Sequence, residues 1–371
     1  MIQKLKFISE ALQNAPSLLI SKKVSAGFDG FVDSIVKVIN HKTEDTEPVF
    51  FRTIEEFGNY ISGKKGSGFS LETEELFQKL GGNMPIMANA MAKMNTSVNC
   101  IGAFGLPSIV PAFLEMDTGC NLFSYTNPGF TTAMEFADGK IMLAQMKDLN
   151  QADWSTIKNA LSLEKITKIF NNSDLICLVN WSELDHSNNI WEGMLQEVFA
   201  PKAKESKQKH FFFDLSDCSK RSPDAIKSAL NLVRQFNQYG KITLSLNKNE
   251  ANILYETCIA QPPVADLQIM GEKLFSCLNI NTLIIHTSKL SLAWDMNSVY
   301  RNEPVFINNP KISTGAGDNF NAGFCIANLL GLDAELSLIM ANMVSNIYIT
   351  TGKSPDLATL SAHIRELMTA L

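Results

Sequence analysis

The sequence lacks the patterns expected of an extracellular, metal-centred or nucleic-acid-binding protein. Its seven cysteines, at positions 100, 120, 177, 218, 258, 277 and 325, form no CxxC pair and are odd in number. That argues against a disulfide framework and a cysteine-based zinc site, and points to a reducing compartment. Five histidines show no HExxH pattern and no evident Ser or Cys nucleophile partner, so ordinary structural or surface roles are expected for them. No apolar run is long enough to span a bilayer, and no long basic block stands out against a net charge of -6, which leaves nucleic acid and anionic membrane without support as partners. The opening Met1-Ile2-Gln3-Lys4-Leu5-Lys6 has no apolar signal core, so a cytoplasmic protein with a small-molecule substrate is expected. Internal repeats and low-complexity tracts are also missing.

With 371 residues and 45% hydrophobic content the chain can bury a sizeable core. Short apolar runs at Val24 to Phe28, Val98 to Phe104, Leu175 to Val179, Phe211 to Asp214, Ile242 to Leu246 and Leu283 to His286 precede helix-like stretches. This alternation predicts a parallel sheet covered by helices, with ligands gathered at the carboxyl ends of its strands. Two segments break the rhythm. Phe31 to Arg52 has apolar residues on either side of a polar break, and Phe130 to Met146 reads as a hairpin turning at Asp138-Gly139; together they predict a small β flap. Between them, Ile54 to Ile61 and Leu71 to Leu80 read as helices, with Gly63 to Gly68 as a mobile connector.

Two apparent Walker loops are decoys. Gly58 to Lys64 satisfies GxxxxGK, but Lys65 stands where Ser or Thr would bind magnesium, and Thr351-Gly352-Lys353-Ser354 has Ile347 at the first glycine position. No GxGxxG follows the first strand, which weakens a dinucleotide-dependent oxidoreductase.

The most informative stretch is Ser313-Thr314-Gly315-Ala316-Gly317-Asp318. A glycine loop entering a helix leaves unpaired N–H groups at the positive end of the helix dipole, where a transferring phosphoryl group could be held. Asp318 beside it could take the proton of an attacking alcohol; a turn capped by Asp fits the same residues. Gly81-Gly82-Asn83 allows close backbone approach to a ligand, and Asn83 suits either a sugar hydroxyl or an N-cap. Asp29 and Asp33 stand just beyond the first strand, where paired acceptors could grip adjacent hydroxyls; turn chemistry fits Asp29 equally. Asn247-Lys248-Asn249-Glu250 follows a strand, and Glu250 could hold magnesium through water or close a capping motif.

This ordered set resembles the ribokinase (phosphofructokinase-B-type) carbohydrate kinase family over nearly the whole chain. The resemblance implies an α/β, ribokinase-like three-layer sandwich with a central mostly parallel sheet and a small β-sheet lid. It would be a single domain over residues 1–371, with lid segments at about 31–54 and 121–146. It implies a sugar kinase that transfers the ATP γ-phosphate to a hydroxyl with Mg2+. Asp318 would be the base, with Gly315, Ala316 and Gly317 forming an anion hole and Asn247 and Glu250 organising magnesium. Asp29, Asp33, Gly81, Gly82 and Asn83 would contact substrate, Asp214 would end a strand near the site, and Thr287, Ser288 and Asn342 would face the nucleotide.

Ile312 replaces the usual Asp before the signature, and Thr287-Ser288-Lys289-Leu290 replaces a glycine-containing turn. One extra residue between Gly27 and Asp33 is similar to ADP-dependent sugar kinases. A nucleoside kinase, an ADP-dependent sugar kinase and a non-catalytic sugar or nucleotide sensor are the alternative readings. The exposed edges of a lid sheet leave room for a homodimer through the lid.

Overall fold

The computed structural model describes residues 1–202 and 209–370. Among the described residues fourteen strands make two sheets: β1 (Lys23–Gly27), β2 (Phe31–Lys42), β3 (Pro48–Phe50), β4 (Thr73–Gly81), β5 (Ser97–Gly102), β6 (Cys120–Ser124), β7 (Gly129–Phe136), β8 (Gly139–Gln145), β9 (Leu175–Leu178), β10 (Lys209–Asp214), β11 (Gly240–Asn247), β12 (Thr282–His286), β13 (Ser291–Trp294) and β14 (Val299–Asn302). The large sheet has the order β14-β13-β12-β11-β10-β9-β1-β5-β6. Its pairs are parallel from β12 across to β6, while β13 and β14 are antiparallel.

The expected apolar runs are the central strands of this sheet. Strand β9 shows why they lack alternation: all four of its residues are buried. Ile176 and Leu178 pack into one hydrophobic cluster, and Leu175 and Cys177 into the other. A strand covered by helices on both faces has no polar side to display. The result is the three-layer arrangement that the strand and helix alternation foretold.

The small sheet contains β3, β2, β7 and β8 in that order, with β4 also paired to β2. The hairpin at Asp138-Gly139 forms as expected between β7 and β8. The helix expected at Leu71 to Leu80 does not form. Thr73–Gly81 is instead β4, antiparallel to β2 from Phe31↔Gly81 to Val38↔Thr73. Its residues are mostly exposed, so no period-two burial marks them, and the ladder to β2 overrides the local helical spacing. Of the second stretch expected in this sheet, residues 120–124 belong to the large sheet as β6, and the small-sheet part begins at Gly129. No helix among the described residues is long and apolar enough to cross a membrane.

Candidate active site

Two clefts open at the carboxyl ends of the parallel strands. One, of about 470 Å³, is lined by Asp33, Asn83, Asn180, Asp214, Glu250 and Asp318 among others. Its neighbour, of about 580 Å³, is lined by Asn249, Thr287, Ser288, Phe306, Asn342 and Asn346 among others. Asn247, His286 and Gly317 line both. The two spaces therefore meet where the strand-end residues face the first turn of the helix Ala316–Leu329.

Gly81 and Gly82 each make room for one aspartate. A Cβ on Gly81 would lie 2.8 Å from the Asp33 carboxylate, and one on Gly82 would lie 2.5 Å from Asp29 Oδ2. Gly82 also has φ +90° as the N-cap of the helix Asn83–Lys93, a conformation that side chains disfavour. Asn83 is thus the first residue of that helix and not its cap. The Asn83 side chain lines the first cleft without a hydrogen-bond partner among the described residues. For Gly82→Ala we expect a loss of about 1–3 kcal/mol in urea unfolding, from backbone strain and displacement of Asp29; an unchanged midpoint would contradict this packing.

The two aspartates take different places. Asp33 faces the cleft from β2, opposite Lys79 on β4 and Thr131 on β7. Burial raises its pKa, while the Lys79 charge and the Thr131 hydroxyl favour ionisation. Asp29, expected to contact substrate, lies behind the wall. Its Oδ1 accepts the Met84 N–H at 3.0 Å and its Oδ2 accepts Asn180 Nδ2 at 2.6 Å. Both oxygens are occupied in tying the Asn83–Lys93 helix to the segment after β9.

Burial pushes the Asp29 pKa up to about 7, against hydrogen bonds that favour the charged form. The folded state then keeps a proton that the unfolded chain releases at lower pH, and this contribution to stability is lost as pH rises toward 7. Half-buried His210 and His286, pushed down to about 4 by desolvation, have the opposite sign but cancel between two proteins that share them. Asp29→Asn is therefore expected to gain on the parent by a few kcal/mol, roughly, between pH 4.5 and 8 in pH-resolved unfolding. A constant difference would contradict the burial argument.

The signature segment forms the helix start the sequence anticipated. Gly315 is the N-cap with φ +92°, and a Cβ there would meet Tyr348 Oη at 2.7 Å. The Ala316 N–H, expected in an anion hole, donates instead to Ser313 O at 3.1 Å. The amides of Gly317 and Asp318 have no such acceptor among the described residues. The Gly315 N–H has none either, so the free donors of the signature are the amides of Gly315, Gly317 and Asp318. Asp318 is buried, and its carboxylate accepts no hydrogen bond among the described residues. Its pKa lies well above the usual carboxylate range, through burial and the negative fields of Asp214 and Asp29.

Asn247 and Glu250 do form a capping box: Asn247 Oδ1 accepts the Glu250 N–H at 3.0 Å, and Glu250 Oε2 accepts the Asn247 N–H at 2.8 Å. The box fixes the Glu250 carboxylate at the cleft wall. Burial and the neighbouring Asp214, Asp217 and Asp318 raise its pKa. Asp214 ends β10 and accepts the Ser216 N–H and Asn321 Nδ2, each at 2.7 Å; burial pushes its pKa up to about 6 against these hydrogen bonds. Among the described residues no set of three or more His, Cys, Asp and Glu side chains is arranged to hold a metal ion directly. Crowded carboxylates with raised pKa values are a donor set that favours a divalent cation, and magnesium keeps several waters while taking few protein oxygens. Glu250 and Asp214 would hold it through those waters.

On the other side, Thr287 commits its hydroxyl to its own turn, accepting from the Lys289 and Leu290 amides and donating to Leu290 O. Asn342 is buried and donates to Ser291 Oγ and Leu338 O. Ser288 is exposed at the rim. Of the three residues expected to face the nucleotide, Ser288 is the one left without a hydrogen bond among the described residues.

The family description "Prokaryotic ketohexokinase" matches residues 4–367. The chain belongs to this family. It is a sugar kinase with a ribokinase-like fold. It is 24% identical over 352 residues to the ketohexokinase of Haloferax volcanii, covering 94% of this chain and 92% of that one. Among solved structures, the ribokinase of Arabidopsis thaliana complexed with ribose and ATP is 15% identical with a TM-score of 0.63, covering 92% of this chain and 98% of that one. A putative ribokinase II of E. coli in complex with ATP and Mg2+ is 12% identical with a TM-score of 0.64, covering 93% and 99%. The Thermotoga maritima ribokinase has 15% identity, a TM-score of 0.59 and coverages of 93% and 99%.

Four cleft residues of this ketohexokinase-family chain are not among the site residues expected from the sequence. Asn180, two residues past β9 and at φ +62°, lines the first cleft; it spends Nδ2 on Asp29, and its Oδ1 is buried with no partner among the described residues. Its position just past a parallel strand was the available signal. Glu183 and Lys220 pair across the mouth of the same cleft; nothing in their local sequence marks them. His286 ends β12 at the junction of the clefts.

Proposed function

We propose that the chain phosphorylates a ketohexose, using ATP and Mg2+, with Asp318 as general base. The observation that carries this is the position of Asp318. An unpartnered buried carboxylate lines a cleft that also holds the hydroxyl acceptors Asp33 and Asn83, beside the free amides of Gly317 and Asp318. A polyol saturates such acceptors; an apolar ligand leaves them buried and unpaired. The raised pKa of Asp318 suits a group that must hold a proton after the alcohol has attacked. ATP as donor is supported by the ATP-bound structures that share the fold.

Strands β2, β7 and β8 bring Asp33, Thr131 and Met142 over the sugar side. The small sheet thereby acts as a lid that keeps water from the phosphoryl group. Cytoplasmic residence suits seven free thiols. Exposed Leu76, Phe77, Phe130 and Leu143 on the lid sheet favour a homodimer through this surface; light scattering that gives a monomer at micromolar concentration would remove that part.

The test is a panel of ketohexoses, aldohexoses, pentoses and nucleosides with Mg2+ and either ATP or ADP. A ketohexose phosphate formed from ATP is expected. Preference for a nucleoside or for ADP would replace the corresponding half of the proposal, and ligand binding without turnover would indicate a sensor.

A further inference from the structure

An ordinary structural or surface role is expected for His286 from the sequence, and its place in the fold argues for more. It is the last residue of β12, paired in register with Asn247 of the capping box. Its ring stacks on Phe320 at 4.6 Å between centroids, 25° from parallel. A Cβ built on Gly317 would lie 3.7 Å from its Cε1, so the imidazole edge stands against the open first turn of the Ala316–Leu329 helix. It lines both clefts, and neither ring nitrogen has a hydrogen-bond partner among the described residues. Burial pushes its pKa down to about 4. The ring is therefore neutral near pH 7, with one N–H to donate.

We propose that His286 is a catalytic residue that donates a hydrogen bond to the phosphoryl group as it passes between the clefts, beside the Gly317 and Asp318 amides. In that transfer the bond from phosphorus to the ADP oxygen breaks, a bond to the sugar oxygen forms, and the hydroxyl proton goes to Asp318. His286 gains and loses nothing. A neutral donor fits a place already faced by the carboxylates of Asp318 and Glu250, because it adds stabilisation to the equatorial oxygens without a charge of its own to neutralise. The Phe320 stack fixes the plane of the ring, so that the donor is oriented before substrate arrives.

The inference rests on the sugar-kinase reading, and two variants separate the roles of the ring. His286→Phe keeps a flat ring on Phe320 and removes the donor; His286→Gln keeps a donor and removes the ring. For His286→Phe, kcat is expected to fall by roughly 10²-fold. Calorimetric affinity for the sugar with ADP and aluminium fluoride, which mimics the group in flight, should fall in parallel, with ADP alone bound as in the parent. His286→Gln should stay within about tenfold of the parent in both readouts. A Phe variant equal to the parent, or no worse than the Gln variant, overturns the role while leaving the kinase reading intact. A parent that phosphorylates no sugar removes that reading, and this inference with it.

Discussion

Asp318→Asn is expected to lower kcat by about 10²- to 10⁴-fold while sugar and nucleotide still bind, because in the proposed mechanism it removes the group that takes the hydroxyl proton. The change is nearly isosteric. It also removes a charge from a crowd in which Asp214 and Asp29 already oppose ionisation of Asp318. The variant should therefore be at least as stable as the parent, and ATP should bind no more weakly. A structural carboxylate would behave the other way, with stability lost and turnover largely kept. Steady-state kinetics on the ketohexose identified in the panel, with an unfolding curve for each protein, separates the two. Turnover at the parental rate would remove Asp318 as base.

For Asp33→Ala the expected result is a rise in the KM for sugar of about 10- to 10²-fold, with KM for ATP unchanged, since a hydrogen bond to a charged group contributes about 1.5–3 kcal/mol. Asp33 lines the first cleft, where the proposal places the sugar, and does not line the second. Its removal also leaves Lys79, whose charge interacts with Asp33, without that partner beside the cleft. An equal rise in both KM values would place Asp33 in lid closure and not in sugar binding.

The parallel sheet was legible because its strands are buried on both faces and announce themselves as short apolar runs. Helix starts at Asn247 and Gly315 were legible because capping chemistry is local. Strand β4 was not, since an exposed strand whose conformation comes from pairing with a distant partner has no periodicity of its own. The site followed the same division. Asp33, Asn83, Glu250 and Asp318 lie within motifs and reach the first cleft. Asp29 sits in such a motif yet is used to join two segments, a role visible only once Met84 and Asn180 are seen around it. Asn180 and His286 have their places by tertiary position alone, each at the end of a parallel strand. The Thr287 turn shows the same limit: its hydroxyl looked available for nucleotide and is consumed by the loop that replaces glycine.

The central claim is that residues from the small sheet, the strand ends and the Ala316–Leu329 helix meet around a single transferring phosphoryl group. A crystal structure of the protein with a ketohexose, Mg2+ and a non-hydrolysable ATP analogue tests it most directly. The account predicts a sugar hydroxyl about 2.6–3.2 Å from the Asp318 carboxylate, with the terminal phosphate against the Gly317 and Asp318 amides. A sugar bound away from Asp33 and Asn83, or a terminal phosphate outside the junction at His286 and Gly317, would contradict it.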